Sequence, residues 1–322
     1  MADLDVRMIL RAYDQLCPLH LGDVPTPGLR LSLDRHAALT LVFPDGVDVA
    51  EVSFNRYVGG YAKGDESLVG MPAFVLRGFR HRNFFVRSDS KLTRLSDLKG
   101  KRVGTNSWPD TGTMWCRVAM TDAGVNVEDC QWVLGTLDPK NPSKPPSPND
   151  AQPPKGARFL TGSEDLMTEL AEGRVDCITT AKAPPAVFKK GGAIRRLVEN
   201  YPEVEADYHR RTGVYPGFHI VAARRSFAEK HPQAMRTIYE AMQKSWTIWE
   251  DKVKWFAEDS PWAMREMEYL CNEFAGDAAF GMTPANRKMV ETICREQHTQ
   301  GLVPKAADPK RLFADFEAIA RA

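Results

Sequence analysis

The stretch that decides the fold is residues 95–120, LSDLKGKRVGTNSWPDTGTMWCRVAM. A short polar turn leads into an apolar strand that stops at Gly104, and a polar loop then reaches a predicted helix. Strand, glycine, loop and helix start in this order present backbone N–H groups to an anion, although the glycines match neither a dinucleotide fingerprint nor a P-loop. We expect Thr111 and Thr113 to cap this helix and to contact a ligand; an ordinary capped helix fits the same pattern.

The rest of the chain repeats this alternation of strand-like and helical segments, which is typical of α/β architecture. The predicted strands are 7–10, 47–52, 84–86 and 175–180. Ser163 is expected to cap a helix over 164–172, and a second helix is predicted after Pro184 and Pro185. The proline-rich segment 138–157 is predicted to form an extended surface loop.

A long helix is predicted in the last third of the chain. Ser226 and Glu229 have the spacing of a capping box at its start. Apolar residues then recur at spacings of three and four, which predicts one face packed in the core. This stripe consists of Met235, Ile238, Met242, Trp246, Trp249, Val253 and Phe256.

Composition and charge narrow the class of protein. The chain has 322 residues, with 43 Lys and Arg against 42 Asp and Glu, a formal net charge of +1. This balance argues against a nucleic-acid partner, and no apolar run is long enough to cross a bilayer. The first residues lack the apolar core of a secretory signal, and the six cysteines show no C-x-x-C spacing, so we expect reduced thiols in a cytoplasmic protein. A mature exported protein whose signal has been removed stays an alternative.

Two distant segments end on a histidine beside turn residues. The first is FVLRGFRH, residues 74–81, in which Arg77, Arg80 and His81 follow an apolar run; the second is TGVYPGFH, residues 212–219, which ends at His219. Arginine keeps its proton and offers a planar fork that matches a carboxylate, whereas histidine titrates near neutrality. Together these residues suit a small anionic substrate that must be both held and protonated. A structural role stays open for each of them.

In the order of its segments the chain resembles the type 2 periplasmic-binding-protein fold, an α/β fold with two lobes joined by crossing strands. The segments that carry this resemblance are 97–104, 172–177 and 184–188. The resemblance implies a two-lobed protein with a ligand cleft between the lobes. The first lobe would be discontinuous, with residues 1–87 and 205–322, and the second would comprise residues 88–204.

More specific motifs resemble the 4,5-dihydroxyphthalate decarboxylase family, and they cover most of the chain. They are Glu51-x-Ser53-Phe54-x-x-Tyr57, Phe74-x-x-Arg77-x-Phe79-Arg80-His81, Thr111-x-Thr113-x-Trp115-x-Arg117, Glu205-x-x-Tyr208 with Thr212-Gly213-x-Tyr215-Pro216-x-x-His219, Pro261-Trp262, Gly276-Asp277, Phe280-Gly281 and Asn286-Arg287. Two segments depart from the family pattern: Ala278-Ala279-Phe280 replace the usual Trp-Pro-Tyr, and the loop 105–110 lacks the usual glutamate and tyrosine. Both departures lie where a substrate could be recognised, so the resemblance leaves the substrate open.

This resemblance implies a carboxy-lyase that removes CO₂ from a hydroxylated aromatic acid such as 4,5-dihydroxyphthalate, without an organic cofactor. The catalytic candidates are His81, His219 and Glu51, and the substrate-binding candidates are Arg77, Arg80, Ser53, Thr111, Thr113 and Arg117. The arginines would hold carboxylates, and a histidine would transfer the proton. Which histidine does so stays open.

Other functions use the same residue types. A solute-binding receptor for an aromatic carboxylate would share the fold, and a lyase or hydrolase acting on a related acid is a third possibility. No metal is expected, because no H-x-H or H-E-x-x-H spacing occurs, although His81, His219 and Glu51 or Asp277 could meet around one. The expected partner is a small aromatic carboxylate, with no nucleic acid and no membrane, and a homo-oligomer is left open.

Overall fold

The computed structural model describes residues 3–35, 43–137, 140, 151–256, 261–274 and 279–321. The strands are β1 Leu4–Ile9, β2 Leu29–Asp34, β3 Val49–Ser53, β4 Leu68–Arg77, β5 Phe84–Arg87, β6 Arg102–Thr105, β7 Gln131–Leu134, β8 Arg158–Phe159, β9 Cys177–Thr179, β10 Ile194–Arg196 and β11 Gly217–Arg224. The α-helices are α1 Cys17–Leu21, α2 Phe54–Ala62, α3 Thr111–Asp122, α4 Leu166–Ala171, α5 Tyr201–Thr212, α6 Arg225–Lys230, α7 Pro232–Phe256, α8 Ala263–Glu273, α9 Pro284–Thr299 and α10 Ala314–Arg321. Short 3₁₀ helices occupy Asp14–Leu16, His81–Asn83, Leu95–Leu98, Val127–Asp129 and Pro185–Phe188.

The chain divides into two compact units, each assembled from separate segments. Unit 1 comprises Met1–Arg77, Gly217–Glu291 and Ala307–Ala322, and unit 2 comprises Gly78–Pro216 and Thr292–Ala306. These boundaries differ from the predicted lobes. β5 pairs with β9 and β10, and α5 packs on the 3₁₀ helix His81–Asn83, so residues 78–87 and 205–216 lie in unit 2. The C-terminal segment 292–306 also belongs there.

Unit 1 contains a five-stranded mixed sheet in the order β2-β1-β3-β11-β4. β1 is parallel to β2 and β3, and β11 is antiparallel to β3 and β4. The chain passes from β1 to β2 on one side and then to β3 on the other, so the strand order reverses between β1 and β3. Ligands of α/β sheets bind at the carboxyl ends of strands at such a reversal. The residues that follow β1 and β3 are therefore the first place to look for a site.

The predicted long helix is confirmed as α7, but its predicted start is wrong. Ser226 and Glu229 lie inside α6, a separate helix that ends at Lys230. Helix α7 begins at Pro232. Proline is favoured at the first position of a helix because a backbone N–H there would have no partner within the helix. Met235, Ile238 and Met242 of the predicted stripe are buried in the core of unit 1. Farther along the helix Trp246 and Trp249 are only half-buried, so the stripe leaves the core as the helix continues.

Unit 2 contains a six-stranded mixed sheet in the order β10-β5-β9-β6-β7-β8. β6 is parallel to both β7 and β9, and the order reverses between β6 and β9 because the chain reaches β7 and β8 on one side before it returns to β9 on the other. Its core contains buried residues of the sheet, of α4 and of the segments next to them, namely Phe85, Val133, Leu160, Leu166, Leu170, Val175, Ile178 and Ile194. The predicted strand at 84–86, the strand before Gly104 and the strand at 175–180 are confirmed as β5, β6 and β9.

Two local predictions in unit 2 need correction or stay open. The cap of α4 is Asp165, whose carboxylate accepts hydrogen bonds from the N–H groups of Met167 and Thr168, so the prediction of Ser163 is wrong. In the predicted proline-rich loop, residues 138–139 and 141–150 lie outside the described part, and residues 151–157 have no helix or strand. Among the helices that the structure describes, none combines the length and apolar character needed to span a bilayer.

Candidate functional site

A cluster of four polar residues in unit 1 brings two of the predicted catalytic residues together. Glu51 lies on β3 and His219 on the antiparallel β11, where His219 pairs with Ser53 and Val221 pairs with Glu51. Glu51 and His219 are therefore diagonal neighbours on one face of the sheet. The pairing of β11 with β4 is irregular on both sides of His219, and such irregularities redirect side chains. Arg11 and Tyr13 complete the cluster, which we call the unit 1 cluster, from the loop after β1.

The Glu51 carboxylate is the centre of the unit 1 cluster. Its Oε1 lies 2.5 Å from Nδ1 of His219 and accepts a hydrogen bond of 2.6 Å from the Tyr13 hydroxyl. Its Oε2 accepts a hydrogen bond of 3.2 Å from the backbone N–H of Arg11, whose Nε lies 3.9 Å from Oε1. The Tyr13 oxygen is 3.2 Å from Nδ1 of His219. Glu51 is only 5% exposed, so these groups replace water as its partners.

The surroundings of Glu51 keep its carboxyl ionised. Burial alone would raise the pKa of Glu51, but the hydrogen bonds from His219 and Tyr13 and the charge of Arg11 outweigh it and lower that pKa. Burial and the adjacent Glu51 charge raise the pKa of Tyr13 well above its usual value, so the phenol keeps its hydrogen. A carboxylate can only accept, so the hydrogen on Nδ1 of His219 points to Glu51. Within the described residues Nδ1 is the hydrogen-bonded nitrogen of this ring, which leaves the lone pair of the neutral imidazole on Nε2.

Two further candidates lie at the same sheet edge of unit 1. Ser53 ends β3 and caps α2, where its hydroxyl oxygen accepts a hydrogen bond of 3.4 Å from the N–H of Arg56. Arg77 ends β4 opposite Gly217, and its guanidinium lies 5.9 Å from the centre of the Phe74 ring. Both residues are half-buried. Their predicted contact with substrate stays a prediction.

His81 occupies a different environment in unit 2. It opens the 3₁₀ helix before β5, is 3% exposed, and its ring centre lies 5.2 Å from that of Tyr208. Among the described residues its Nδ1 has no hydrogen-bond partner. Burial lowers the pKa of His81 to about 4, so the ring is neutral at neutral pH. A buried nitrogen without a partner is unusual in a folded protein and is typical of a position that receives a ligand atom.

Helix α5 holds the segment that carries His81. Glu205 accepts hydrogen bonds from the backbone N–H and Nε of Arg82 at 3.1 and 3.2 Å, and its Oε2 lies 2.7 Å from Nη2 of the same residue. The side chain of Asn83 donates a hydrogen bond of 2.9 Å to the carbonyl of Thr180, just after β9. The segment His81–Asn83 is thus tied to the carboxyl end of β9, where the strand order of unit 2 reverses.

The start of α3 differs from the prediction. The cap is Asp110, whose Oδ1 accepts hydrogen bonds of 2.7 and 3.2 Å from the N–H groups of Gly112 and Thr113, so the predicted capping by Thr111 and Thr113 is wrong. The Thr113 hydroxyl donates to the carbonyls of Ser107 and Asp110, at 2.5 and 3.0 Å. The N–H groups expected to bind an anion therefore already serve a carboxylate of the chain itself. Thr111 is buried in the same first turn.

Arg80 is the cation beside this turn. A Cβ on Gly112 would lie 3.1 Å from Nη2 of Arg80, so the glycine allows the guanidinium to approach the helix start closely. Burial lowers the pKa of Arg80, and a bound carboxylate would oppose that effect. Thr105 and Thr179 end β6 and β9 at the same reversal and are buried. We call Arg80, His81, Thr111, Thr105 and Thr179 the unit 2 cluster.

Arg117 lies in the interior of unit 2, 1% exposed. Its Nε donates a hydrogen bond of 2.7 Å to Gln300, its Nη2 donates one of 2.9 Å to the carbonyl of Trp108, and its guanidinium lies 3.9 Å from the Trp108 ring centre. Burial lowers the pKa of Arg117 to about 9. These contacts give Arg117 the structural role of joining α3 to the segment 292–306.

The structure brings Glu51, His219 and Ser53 together in unit 1. In unit 2 Arg80 lies against Gly112, the residue that follows Thr111, and His81 is the next residue after Arg80. The expectation that both clusters face one crevice stays a prediction. Sequence reasoning missed Tyr13, Arg11 and Asp110. The first two follow the first predicted strand directly, and the carboxyl end of a strand is a position at which functional residues are expected. Within the described residues no group of three or more His, Cys, Asp or Glu side chains is placed to hold a metal, and Asp277 lies outside them.

Comparison with solved structures identifies the fold as that of the periplasmic binding proteins. The aliphatic sulphonate binding protein SsuA of Escherichia coli matches with a TM-score of 0.54 and 14% identity over 97% of this chain and all of its own. A Candida albicans protein described as having the generic periplasmic binding protein fold matches with a TM-score of 0.52 and 11% identity over 99% of this chain and 95% of its own. The desulfurization enzyme DszB matches with 0.53 and 13% over 99% of each. At these identities the likeness concerns the fold alone.

Comparison with curated proteins gives a narrower relationship. A 4,5-dihydroxyphthalate decarboxylase of Comamonas testosteroni is 25% identical over 330 aligned residues, which cover 97% of each chain. A second protein of that name, from Pseudomonas putida, is 26% identical over 169 residues, 51% of this chain and 63% of its own. No family model matches the chain. The resemblance to 4,5-dihydroxyphthalate decarboxylases that the motifs predicted is confirmed.

Proposed function

We propose that this chain is a carboxy-lyase that acts on a hydroxylated aromatic carboxylic acid of the 4,5-dihydroxyphthalate type. The observation that carries the proposal is the match along 97% of both chains to a protein named 4,5-dihydroxyphthalate decarboxylase. The Glu51–His219 pair supports it, because it supplies an ionised carboxylate and an imidazole in contact, the groups that general acid–base chemistry needs.

The proposed reaction protonates the ring before CO₂ leaves. Direct loss of CO₂ would leave an electron pair in an sp² orbital that the π system cannot absorb. Addition of a proton to the carbon that bears the carboxylate instead gives a dearomatised intermediate, and a para hydroxyl donates electron density to that carbon. The C–CO₂ bond then breaks, its electron pair restores the ring, and the phenol keeps or regains its proton. The substrate supplies its own electron source, so this proposal includes no organic cofactor.

His219 is the proposed proton donor. Glu51 accepts the hydrogen on Nδ1 and stabilises the imidazolium, so a proton on Nε2 can pass to the ring carbon. His81 is neutral at neutral pH, because burial lowers its pKa to about 4, and it is therefore a poor source of protons. We assign His81 a hydrogen bond to the substrate through a ring nitrogen.

The remaining roles concern substrate binding. Arg80 is the proposed carboxylate clamp of the unit 2 cluster, and Arg77 is the proposed clamp of unit 1; a guanidinium binds a carboxylate with two parallel hydrogen bonds. Ser53 and Thr111 would donate hydrogen bonds to oxygens of the substrate. The proposal requires that both clusters contact one bound molecule. Arg117 and Thr113 are given no role in this proposal, since Nε and Nη2 of Arg117 and the Thr113 hydroxyl already have partners in the interior of unit 2.

The test is an isotope experiment on the purified chain. With 4,5-dihydroxyphthalate in D₂O we expect release of CO₂ and formation of protocatechuate that carries one deuterium at the carbon that lost CO₂. Tight binding without product would overturn the proposed decarboxylase activity and favour a solute receptor, the function that the fold of SsuA suggests. Absence of both binding and product would redirect the search to another lyase or hydrolase substrate. The cytoplasmic location and the oligomeric state stay predictions.

A further inference from the structure

Tyr13 is, besides Arg11, one of the two residues of the unit 1 cluster that no sequence motif singled out. It follows β1 and opens the 3₁₀ helix Asp14–Leu16 as its cap residue, beside the point at which the strand order of unit 1 reverses. Its hydroxyl lies 2.6 Å from Oε1 of Glu51 and 3.2 Å from Nδ1 of His219, and the Arg11 side chain also interacts with it. The hydroxyl therefore contacts both members of the proposed acid–base pair.

We propose that Tyr13 is a positioning residue that holds the Glu51 carboxylate against Nδ1 of His219 and so keeps the lone pair of the neutral imidazole on Nε2. This inference rests on the proposed function in so far as it concerns catalysis. Its structural part, the choice of tautomer, stands on the geometry of the three side chains alone.

The direction of each hydrogen bond follows from chemistry. Glu51 is ionised and can only accept, so the hydrogen of the Tyr13 hydroxyl points to Oε1. The lone pairs of the Tyr13 oxygen are then left for a donor. Nδ1 of His219 lies 2.5 Å from Oε1 of Glu51 and 3.2 Å from the Tyr13 oxygen. Both neighbours of Nδ1 thus favour the tautomer that carries hydrogen there. The opposite tautomer would set a lone pair against two oxygens.

The Tyr13 hydroxyl also helps to keep the Glu51 carboxyl ionised. The groups that face Glu51 are Arg11 and Tyr13 from the loop after β1 and His219 from β11. Each helps to keep the carboxyl ionised, against the effect of burial. Removal of the Tyr13 hydroxyl deletes one donor, so the pKa of Glu51 must rise. As the pH falls, Glu51 of such a variant takes up a proton at a higher pH than in the parent protein, and its support of the imidazolium is then lost.

The experiment compares Tyr13→Phe with Tyr57→Phe, a matched control in the same unit. Tyr57 is also buried, and its hydroxyl donates to the carbonyl of Leu312 at 2.6 Å and accepts from the N–H of Gly70 at 3.1 Å, away from Glu51 and His219. Nitrogen-15 NMR of the labelled full chain, with His219→Gln to assign the signal, reports the tautomer at a pH where the ring is neutral. We expect hydrogen on Nδ1 in the parent protein and in Tyr57→Phe, and a mixture of tautomers in Tyr13→Phe.

Kinetics with 4,5-dihydroxyphthalate provide the second readout. We expect Tyr13→Phe to lower kcat by about tenfold, the effect of one lost hydrogen bond, with KM within about twofold. The acid limb of its pH profile should move to higher pH, whereas Tyr57→Phe should leave the limb in place even if it lowers thermal stability. An unchanged tautomer and an unchanged acid limb in Tyr13→Phe would overturn the inference.

If Tyr13→Phe does not fold, the parent protein by itself still tests the proposal. If the parent His219 carries its hydrogen mainly on Nε2, the inference is wrong. If the parent protein produces no protocatechuate, the proposed function fails while the tautomer measurement still decides the structural part.

Discussion

At the scale of single residues, the two candidate histidines differ in their electrostatic surroundings. His219 contacts an ionised carboxylate on one nitrogen. His81 is buried beside the Tyr208 ring, and its Nδ1 has no hydrogen-bond partner within the described residues. The first environment places an ionised carboxylate in contact with the ring and the second does not, so we expect the two side chains to contribute to different kinetic parameters.

The first prediction separates these roles by substitution. His219→Gln should lower kcat by about 10²–10⁴-fold with a small change in KM, because it removes the proposed proton donor. His81→Gln should raise KM more than it lowers kcat. His298→Gln, at an exposed position of α9, serves as the control and should change neither. Steady-state kinetics with 4,5-dihydroxyphthalate give the answer, and equal losses of kcat in both site variants would contradict the assignment.

The second prediction concerns the pH dependence of stability through His81. Its pKa falls from 6.5 in the unfolded chain to about 4 on folding, so the unfolded state binds more protons between these values and stability decreases as the pH falls through that window. Between about pH 7 and pH 5 the loss should be about 2 kcal/mol. Urea unfolding at the two pH values measures it, and in His81→Gln this part of the pH dependence should disappear. A variant with the same pH dependence as the parent would show that His81 is not the group responsible.

At the scale of secondary structure elements, the start of α3 is the feature with the clearest consequence. Asp110 satisfies two N–H groups of the first turn, and Arg80 lies against the same turn at Gly112. A carboxylate is favourable at the positive end of a helix dipole. The helix start therefore arranges the position of Arg80 more than it offers an anion site of its own.

The third prediction tests this cap. Asp110→Ala should lower the free energy of unfolding by about 1 kcal/mol, since both N–H groups lose their acceptor, whereas Asp110→Asn should retain most of the stability. Thr121→Ala, at an exposed position near the end of the same helix, should change stability by less than about 0.5 kcal/mol. Chemical denaturation of the four proteins decides it. Equal stability of Asp110→Ala and the parent would mean that the cap is not formed in solution.

At the scale of the whole molecule, the chain passes between the two units at four positions, after Arg77, Pro216, Glu291 and Ala306. The short segment Thr292–Ala306 belongs to unit 2 although the residues before and after it belong to unit 1. Gln300 of this segment accepts the hydrogen bond from Nε of the buried Arg117 and donates a weaker one of 3.4 Å to the carbonyl of Met114. Unit 2 is thus completed by residues from near the end of the chain.

The fourth prediction follows from this anchor. Gln300→Leu should lower the free energy of unfolding by about 1.5–3 kcal/mol, because it removes a hydrogen bond to a buried charged group. Thr299→Ala, at the exposed last position of α9 directly before Gln300, is the matched control and should have little effect. Thermal and urea unfolding of both variants measure the difference. A Gln300→Leu variant as stable as the control would show that the segment is held by other contacts.

Local patterns predicted much of this architecture, because strands and helices depend on nearby residues. β5, β6, α3 and β9 lie where the alternation of apolar and polar segments indicated. The exact helix caps were less predictable. Asp110 and Thr111 are adjacent, and the cap is the one whose backbone is still extended, which is Asp110. Tyr13 was missed because its significance depends on Glu51, which is 38 residues away in the sequence.

By itself the sequence determined that the protein is α/β, that its motifs resemble those of a decarboxylase family, and that arginine, histidine and glutamate are its candidate chemistry, because composition, periodicity and residue types are properties of the chain. Tertiary structure alone decided which of these groups meet. Pairing of β3 with β11 brings Glu51 to a histidine 168 residues away, and the loop after β1 adds Tyr13. The surroundings of Glu51, Tyr13 and His81 then decided the charge states of these three groups, since a pKa depends on the solvent, hydrogen bonds and charges around it, which no linear pattern specifies.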